Sequence, residues 1–164
     1  MRYEFLARDE KDTERLASAL AQWFMSGTVI ALDGDLGAGK TRFTQAIAAA
    51  MGVQERVNSP TFTLIKSYAC QKLTLYHMDA YRLSIAEAEE LGLEEIFYGT
   101  GVCVVEWASL IQPLLPQERL EITIQVVHEA ERWFRLAPCG EPYVSWCDTL
   151  AEKGVIVVAT SSLS

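Results

Sequence analysis

One stretch, Gly34-Asp35-Leu36-Gly37-Ala38-Gly39-Lys40-Thr41, restricts the fold of this chain more than any other. Glycine at positions 34, 37 and 39 argues against a regular helix or strand through it and favours a tight turn. The residues before it, 28–32, read Thr-Val-Ile-Ala-Leu and predict a short buried strand. The residues after it, 42–51, are rich in strong helix formers and predict a helix that Gly52 stops. A chain punctuated in this way runs strand, turn, helix. In such a turn the backbone N–H groups curl inward as an anion cradle, and the helix N-terminus adds partial positive charge. The spacing G-x-x-x-x-G-K-[ST] matches a phosphate-binding loop at every fixed position. Lys40 is then expected at the β- and γ-phosphates and the Thr41 hydroxyl at Mg2+.

The remaining pattern predicts a P-loop NTPase-like α/β fold. Three layers are expected, with a mostly parallel central sheet, antiparallel additions, and one domain over residues 1–164. A strand over 3–6 leads to a helix over 12–25, where Leu16, Leu20 and Phe24 form one apolar stripe before Gly27. Runs 62–68 and 73–78 suggest a hairpin. Ser84-Ile85-Ala86-Glu87 is a capping box that opens an acidic helix ending near Gly92. The continuous apolar run 102–105 fits a central strand covered on both faces. Pro113 and Pro116 mark a loop. Residues 120–126 alternate with period two and pair with 132–136, and a terminal helix over 141–153 and a strand over 155–158 complete the chain.

Composition narrows the function. With 164 residues and hydrophobic types at 50%, there is ample core material but little room for a substrate domain, so a second function would come from a partner. A net charge of -8 argues against a broad nucleic-acid surface, which needs clustered Lys and Arg. The charged N-terminus has no apolar signal core, and no apolar run approaches the length of a membrane span, so the expectation is a cytoplasmic protein. Cys70, Cys103, Cys139 and Cys147 form no C-x-x-C pair and read as reduced thiols.

A phosphate loop needs a carboxylate on a neighbouring strand for the metal. Asp79 and Glu106 each end an apolar run, which puts them at the sheet edge where ligands of open α/β folds collect. Ser59-Pro60-Thr61-Phe62-Thr63 is hydroxyl-rich and rigid at Ser-Pro. It reads as an ordinary turn or as a loop sensing the γ-phosphate. Tyr81, Arg82 and Trp107 flank the two carboxylates, and His77 reads as a hydrogen-bonded structural histidine. The chain lacks an N-K-x-D base-reading motif, which favours ATP. A small-molecule kinase is the competing reading, but no Arg-rich lid follows the capping box.

In order and spacing these motifs resemble the TsaE (YjeE) family, small bacterial ATPases of tRNA threonylcarbamoyladenosine formation. The matching segments are Gly34 to Thr41, Val57-Asn58-Ser59-Pro60-Thr61-Phe62-Thr63-Leu64, Tyr76-His77-Met78-Asp79-Ala80-Tyr81-Arg82-Leu83, Glu89-Glu90-Leu91-Gly92 and Val105-Glu106-Trp107. The resemblance implies that Leu36, Gly37, Ala38, Gly39, Lys40 and Thr41 cradle ATP and that Thr41 and Glu106 ligate Mg2+. It ties hydrolysis to Asp79, with Lys40 and the switch-like Thr61. It sets the base between Glu10 and Thr13 on one side and Ala130 on the other. It also implies partners resembling TsaD and TsaB, with tRNA met only through them. That assembly carries a threonylcarbamoyl group to the adenosine beside the anticodon of tRNAs reading codons that begin with A. Two departures stand out. Arg42 replaces a common Thr and is a candidate for a further phosphate contact, and Met78 and Ala80 replace Phe and Leu around Asp79.

Overall fold

Alternation along the strands sorts the apolar residues onto two faces of one sheet, and each face takes its own layer of helices. The structure is a computed structural model that describes residues 1–60, 64–71 and 73–160. The strands are β1 (Tyr3–Ala7), β2 (Val29–Gly34), β3 (Ile65–Ala69), β4 (Thr74–Asp79), β5 (Val102–Glu106), β6 (Arg119–Val126), β7 (Arg132–Cys139) and β8 (Val157–Val158). The helices are α1 (Glu10–Ala21), α2 (Lys40–Met51), α3 (Ile85–Glu89), α4 (Leu93–Phe97) and α5 (Tyr143–Glu152). Among the described residues the strands form one sheet, ordered β3-β4-β5-β2-β6-β7-β1-β8. Its centre, β4-β5-β2-β6, is parallel. Antiparallel strands extend it on both sides, β3 next to β4 and the wing β7-β1-β8 next to β6.

Leu75, Val102 and Val104 face Phe43 and Ile47 of α2, Leu16 and Leu20 of α1, and Trp146 and Leu150 of α5. Met78, Cys103 and Val105 face the other way, against Ala88, Leu93 and Phe97 of α3 and α4. β5 is buried at every residue, as its unbroken apolar run predicts. The carboxyl ends of β2, β4 and β5 therefore open on one edge, with the N-terminus of α2 above them.

Local chemistry explains where element ends depart from the sequence pattern. Asp9 caps α1 by accepting from Asp12 N, so the helix begins before residue 12. It ends at Ala21, not 25, and Trp23 and Phe24 turn inward with ring centroids 6.2 and 6.0 Å from that of Trp146. The capping box at Ser84 and Glu87 closes both ways, yet α3 is short, and Gly92 at φ 68 starts a separate helix, α4. The segment around Pro113 is a 3-10 stretch over Ala108–Leu114, kinked at Ile111. α5 ends in a glycine cap in which Val155 N donates to Leu150 O, which leaves only Val157–Val158 as strand. Residues 143–158 thus pack on the domain, with α5 on the α1 face and β8 on β1. All four cysteines are free thiols. Among the described residues no helix is long and apolar enough to cross a membrane.

Candidate active site

The turn from β2 to α2 is held open by geometry that only glycine tolerates. Gly34 sits at φ 145, and a Cβ there would lie 2.4 Å from the Ile124 carbonyl of β6. Gly39 caps α2 at φ 109. Phe43 N returns to Gly39 O at 2.8 Å, which starts the helix with its N-terminus facing the cleft. Lys40 is 5% exposed and donates to Gly34 O at 2.6 Å and Asp35 O at 2.9 Å, so its ammonium spans the loop.

The two strand-end carboxylates meet this turn. Asp79 and Glu106 are register partners across β4 and β5, which puts both side chains on the face that carries α2. Thr41 Oγ1 donates to the Glu106 carboxylate, at 3.1 Å from Oε1 and 3.0 Å from Oε2. Glu106 Oε2 is also hydrogen-bonded to His77 Nε2. Asp79 Oδ1 accepts from Tyr81 N at 2.9 Å, and the Asp79 N–H is held by Leu64 O at 2.9 Å. Trp107 takes a left-handed φ of 58, and its ring lies 4.0 Å from Lys40 Nζ and 4.7 Å from the Tyr81 ring. Lys40, Thr41, Asp79, Tyr81, Glu106 and Trp107 line a cleft of about 560 Å3 together with Leu36, Arg42, Ser59 and Arg82.

Burial sets the electrostatics. It pushes the Asp79 carboxyl above the ordinary range, and the neighbouring Glu106 charge pushes the same way, against the Tyr81 N–H, His77 and Lys40. Burial lowers the Lys40 ammonium, and the carboxylates of Glu106, Asp33, Asp79 and Asp35 oppose that shift. Thr41 and Glu106 offer hard oxygen donors within hydrogen-bond distance of each other, a set suited to Mg2+, which keeps waters and substrate oxygens among its ligands. Among the described residues no cluster of His, Cys, Asp and Glu has the makings of an all-protein metal cage.

A second cleft, of about 390 Å3, lies on the other side of Gly37 and Gly39. Glu10, Thr13 and Ala38 line it from one wall, and Ala130 of the β6–β7 turn from the other. The structure thus brings Glu10, Thr13 and Ala130 together around one hollow. Arg42 lines both clefts, and its guanidinium is paired with Glu10 at 3.3 Å and Glu14 at 3.0 Å. The reason for the pairing is that α1 carries both carboxylates beside α2. Thr61 lies outside the described residues, as do Phe62 and Thr63.

Sequence reasoning missed Arg132. Its Nε donates to Ala38 O at 3.0 Å, and its NH1 donates to the carbonyls of His128, Glu129 and Glu131 at 3.1, 2.9 and 3.0 Å. One guanidinium therefore ties the β6–β7 turn to the glycine loop. The only sequence signal was its place in a pairing strand, which says nothing of the loop. The reading of His77 as hydrogen-bonded holds, but its partner, Glu106, is 29 residues away.

Comparison with known proteins finds relatives over most of the chain. The profile of the threonylcarbamoyl adenosine biosynthesis protein TsaE matches residues 7–134. The tRNA threonylcarbamoyladenosine biosynthesis protein TsaE of Bacillus subtilis is 48% identical over 141 residues, 86% of this chain and 89% of its own. Its namesake in Treponema pallidum is 40% identical over 133 residues, 80% of this chain and 98% of its own. The crystal structure of Bacillus subtilis YdiB superposes with a TM-score of 0.81 at 40% identity, covering 94% of this chain and 97% of that one. With the profile spanning most of the chain and the relatives nearly full length, the chain belongs to the TsaE family of threonylcarbamoyl adenosine biosynthesis proteins.

Proposed function

We propose that this protein is a Mg2+-dependent ATPase acting in formation of threonylcarbamoyladenosine in tRNA, together with partners resembling TsaD and TsaB. The observation that carries the reading is the meeting of Lys40, Thr41, Asp79 and Glu106 around a glycine turn that opens a helix. The names of the relatives support the pathway. The net charge of -8 supports leaving tRNA contact to partners.

ATP would lie across both clefts, its triphosphate on the N–H groups of residues 36–41 and its base between Thr13 and Ala130. Thr41 and Glu106 would hold the metal. Bound there, Mg2+ would neutralise phosphate charge. Lys40, freed from the Gly34 and Asp35 carbonyls, would exchange those two bonds for phosphate oxygens. Asp79 would orient the attacking water and take its proton, and its raised carboxyl pKa makes it a stronger base than an exposed aspartate. Catalysis then rests on positioning and electrostatics.

Calorimetry of ATP with and without Mg2+, using Lys40→Ala as control, tests the binding. Failure of well-folded protein to take up ATP more tightly with Mg2+ would end the proposal. Reconstitution of the tRNA modification with TsaD-like and TsaB-like proteins tests the role, which requires that omission of this chain stops product formation.

A further inference from the structure

His77 is a buried polar group that the mechanism above leaves without a task. It is 0% exposed on β4, a strand whose other buried side chains near it are apolar or belong to the cleft. On β4, His77 and Asp79 are two residues apart and so share one face of the sheet. On β5, Val104 pairs with His77 and Glu106 pairs with Asp79, so Glu106 stands one step further along that face and diagonal to the imidazole. His77 Nε2 meets Glu106 Oε2, while Nδ1 has no hydrogen-bond partner among the described residues. A carboxylate that ligates a cation is ionised and only accepts, so with the metal bound Nε2 would carry the hydrogen. Burying an imidazole with one nitrogen unsatisfied costs free energy that an apolar residue would not. A leucine would pack on this face as Leu75 does two residues earlier. The position therefore carries a group whose single bond goes to one oxygen of one carboxylate.

From this we infer that His77 is a positioning residue for the metal: it meets Glu106 Oε2 and holds the carboxylate in one rotamer, with Oε1 and Oε2 at 3.1 and 3.0 Å from Thr41 Oγ1, where the ion would sit. Glu106 has three side-chain torsions, and ordering them when the metal arrives would otherwise reduce affinity. Hydrogen-bonded partners behind metal ligands are worth about 10–100-fold in metal affinity. The inference rests on Glu106 being a metal ligand, as proposed above. It adds that metal affinity and nucleotide affinity are separable at a residue that touches neither.

The test is calorimetry of the β,γ-imido analogue of ATP at stepped Mg2+ concentrations, on the full chain as wild type, His77→Leu and His77→Gln. Nucleotide affinity without Mg2+ should be the same in all three. The Mg2+ concentration for half-maximal enhancement should rise about 10–100-fold in His77→Leu and return most of the way in His77→Gln, whose amide can donate to Glu106. An unchanged Mg2+ midpoint in a folded His77→Leu protein overturns the inference, and so does an equal loss with and without Mg2+. Absence of Mg2+ enhancement in the wild type removes the metal site itself, and this inference with it. If His77→Leu does not fold, the wild type still decides. The chain has two histidines, of which His128 is exposed, so a 15N-histidine spectrum reports only two rings, each through its Nδ1 and Nε2. Adding Mg2+ to the nucleotide-loaded protein must move the His77 ring nitrogens, and a His77 signal that stays in place overturns the inference.

Discussion

The two clefts that flank Gly37 and Gly39 are built on opposite principles. On the carboxylate side, Lys40, Asp79 and Glu106 are charged types at 5%, 7% and 3% exposure, held by strand ends and a helix start. On the α1 side, Glu10 and Arg42 pair at the surface where water competes, and Arg132 is bonded, among the described residues, to backbone carbonyls alone. Buried charge raises the free energy of the folded state and is tolerated when the group has work to do. Exposed pairs cost little and contribute little. The first cleft has the character of a reacting centre and the second that of a grip. If so, substitutions in the first should change kcat, and those in the second should change KM.

The largest effect expected is from Lys40→Ala. Removing a preorganised cation from the phosphate cradle should lower kcat/KM for ATP hydrolysis by about 10²–10³-fold. Steady-state kinetics with the fold checked by circular dichroism reads this, and retention of full activity would dissolve the distinction between the clefts.

Asp79→Asn sharpens it next. Hydrolysis should fall by about 10²-fold or more while ATP affinity holds. The nucleotide-free protein should become more stable at neutral pH, by about 2–4 °C in Tm for each kcal/mol gained. The sign follows from linkage. The folded-state pKa of Asp79 is raised, so the native state binds more protons than the unfolded chain between the two pKa values. Stability contributed by this group therefore falls as pH rises through that window. The Tm advantage of Asp79→Asn should vanish below the ordinary aspartate range of about 3.9 and reach its plateau above the raised value. An advantage that grew toward acid pH would contradict the desolvation account.

Arg132→Met tests the grip. It removes four hydrogen bonds from one guanidinium, freeing the β6–β7 turn from Ala38. KM for ATP should rise about 10-fold, the equivalent of 1.4 kcal/mol, with kcat near wild type. A fall in kcat with KM unchanged would show that the turn serves the reacting centre instead. Arg42→Ala should do least, with a stability loss under about 1 kcal/mol that shrinks with added salt, as denaturant titration at two ionic strengths would show.

Much of this molecule was legible from local rules. The Gly34–Thr41 turn, the apolar β5 run and the capping box at Ser84 each depend on a few adjacent residues, and each formed where the pattern put it. Asp79 and Glu106 were readable as strand-end carboxylates because an apolar run delivers its last residue to the sheet edge. Legibility failed where distant segments compete for the same atoms. The end of α1 was set by Trp23 and Phe24 turning to Trp146, more than a hundred residues on. Arg42 pairs with two carboxylates of α1, Glu10 and Glu14, that no local spacing sets beside it.

By itself, then, the sequence determined the elements, the phosphate turn and the list of chemical groups at the sheet edge, because torsional preference, alternation and spacing act within a few residues. Only the tertiary structure decided the pairings that make the site specific. The register of β4 on β5 put Asp79 beside Glu106 and His77 behind it, and Arg132 reached Ala38 across 94 positions. Those contacts come from sheet order and helix packing, and no local propensity encodes which strand lies next to which.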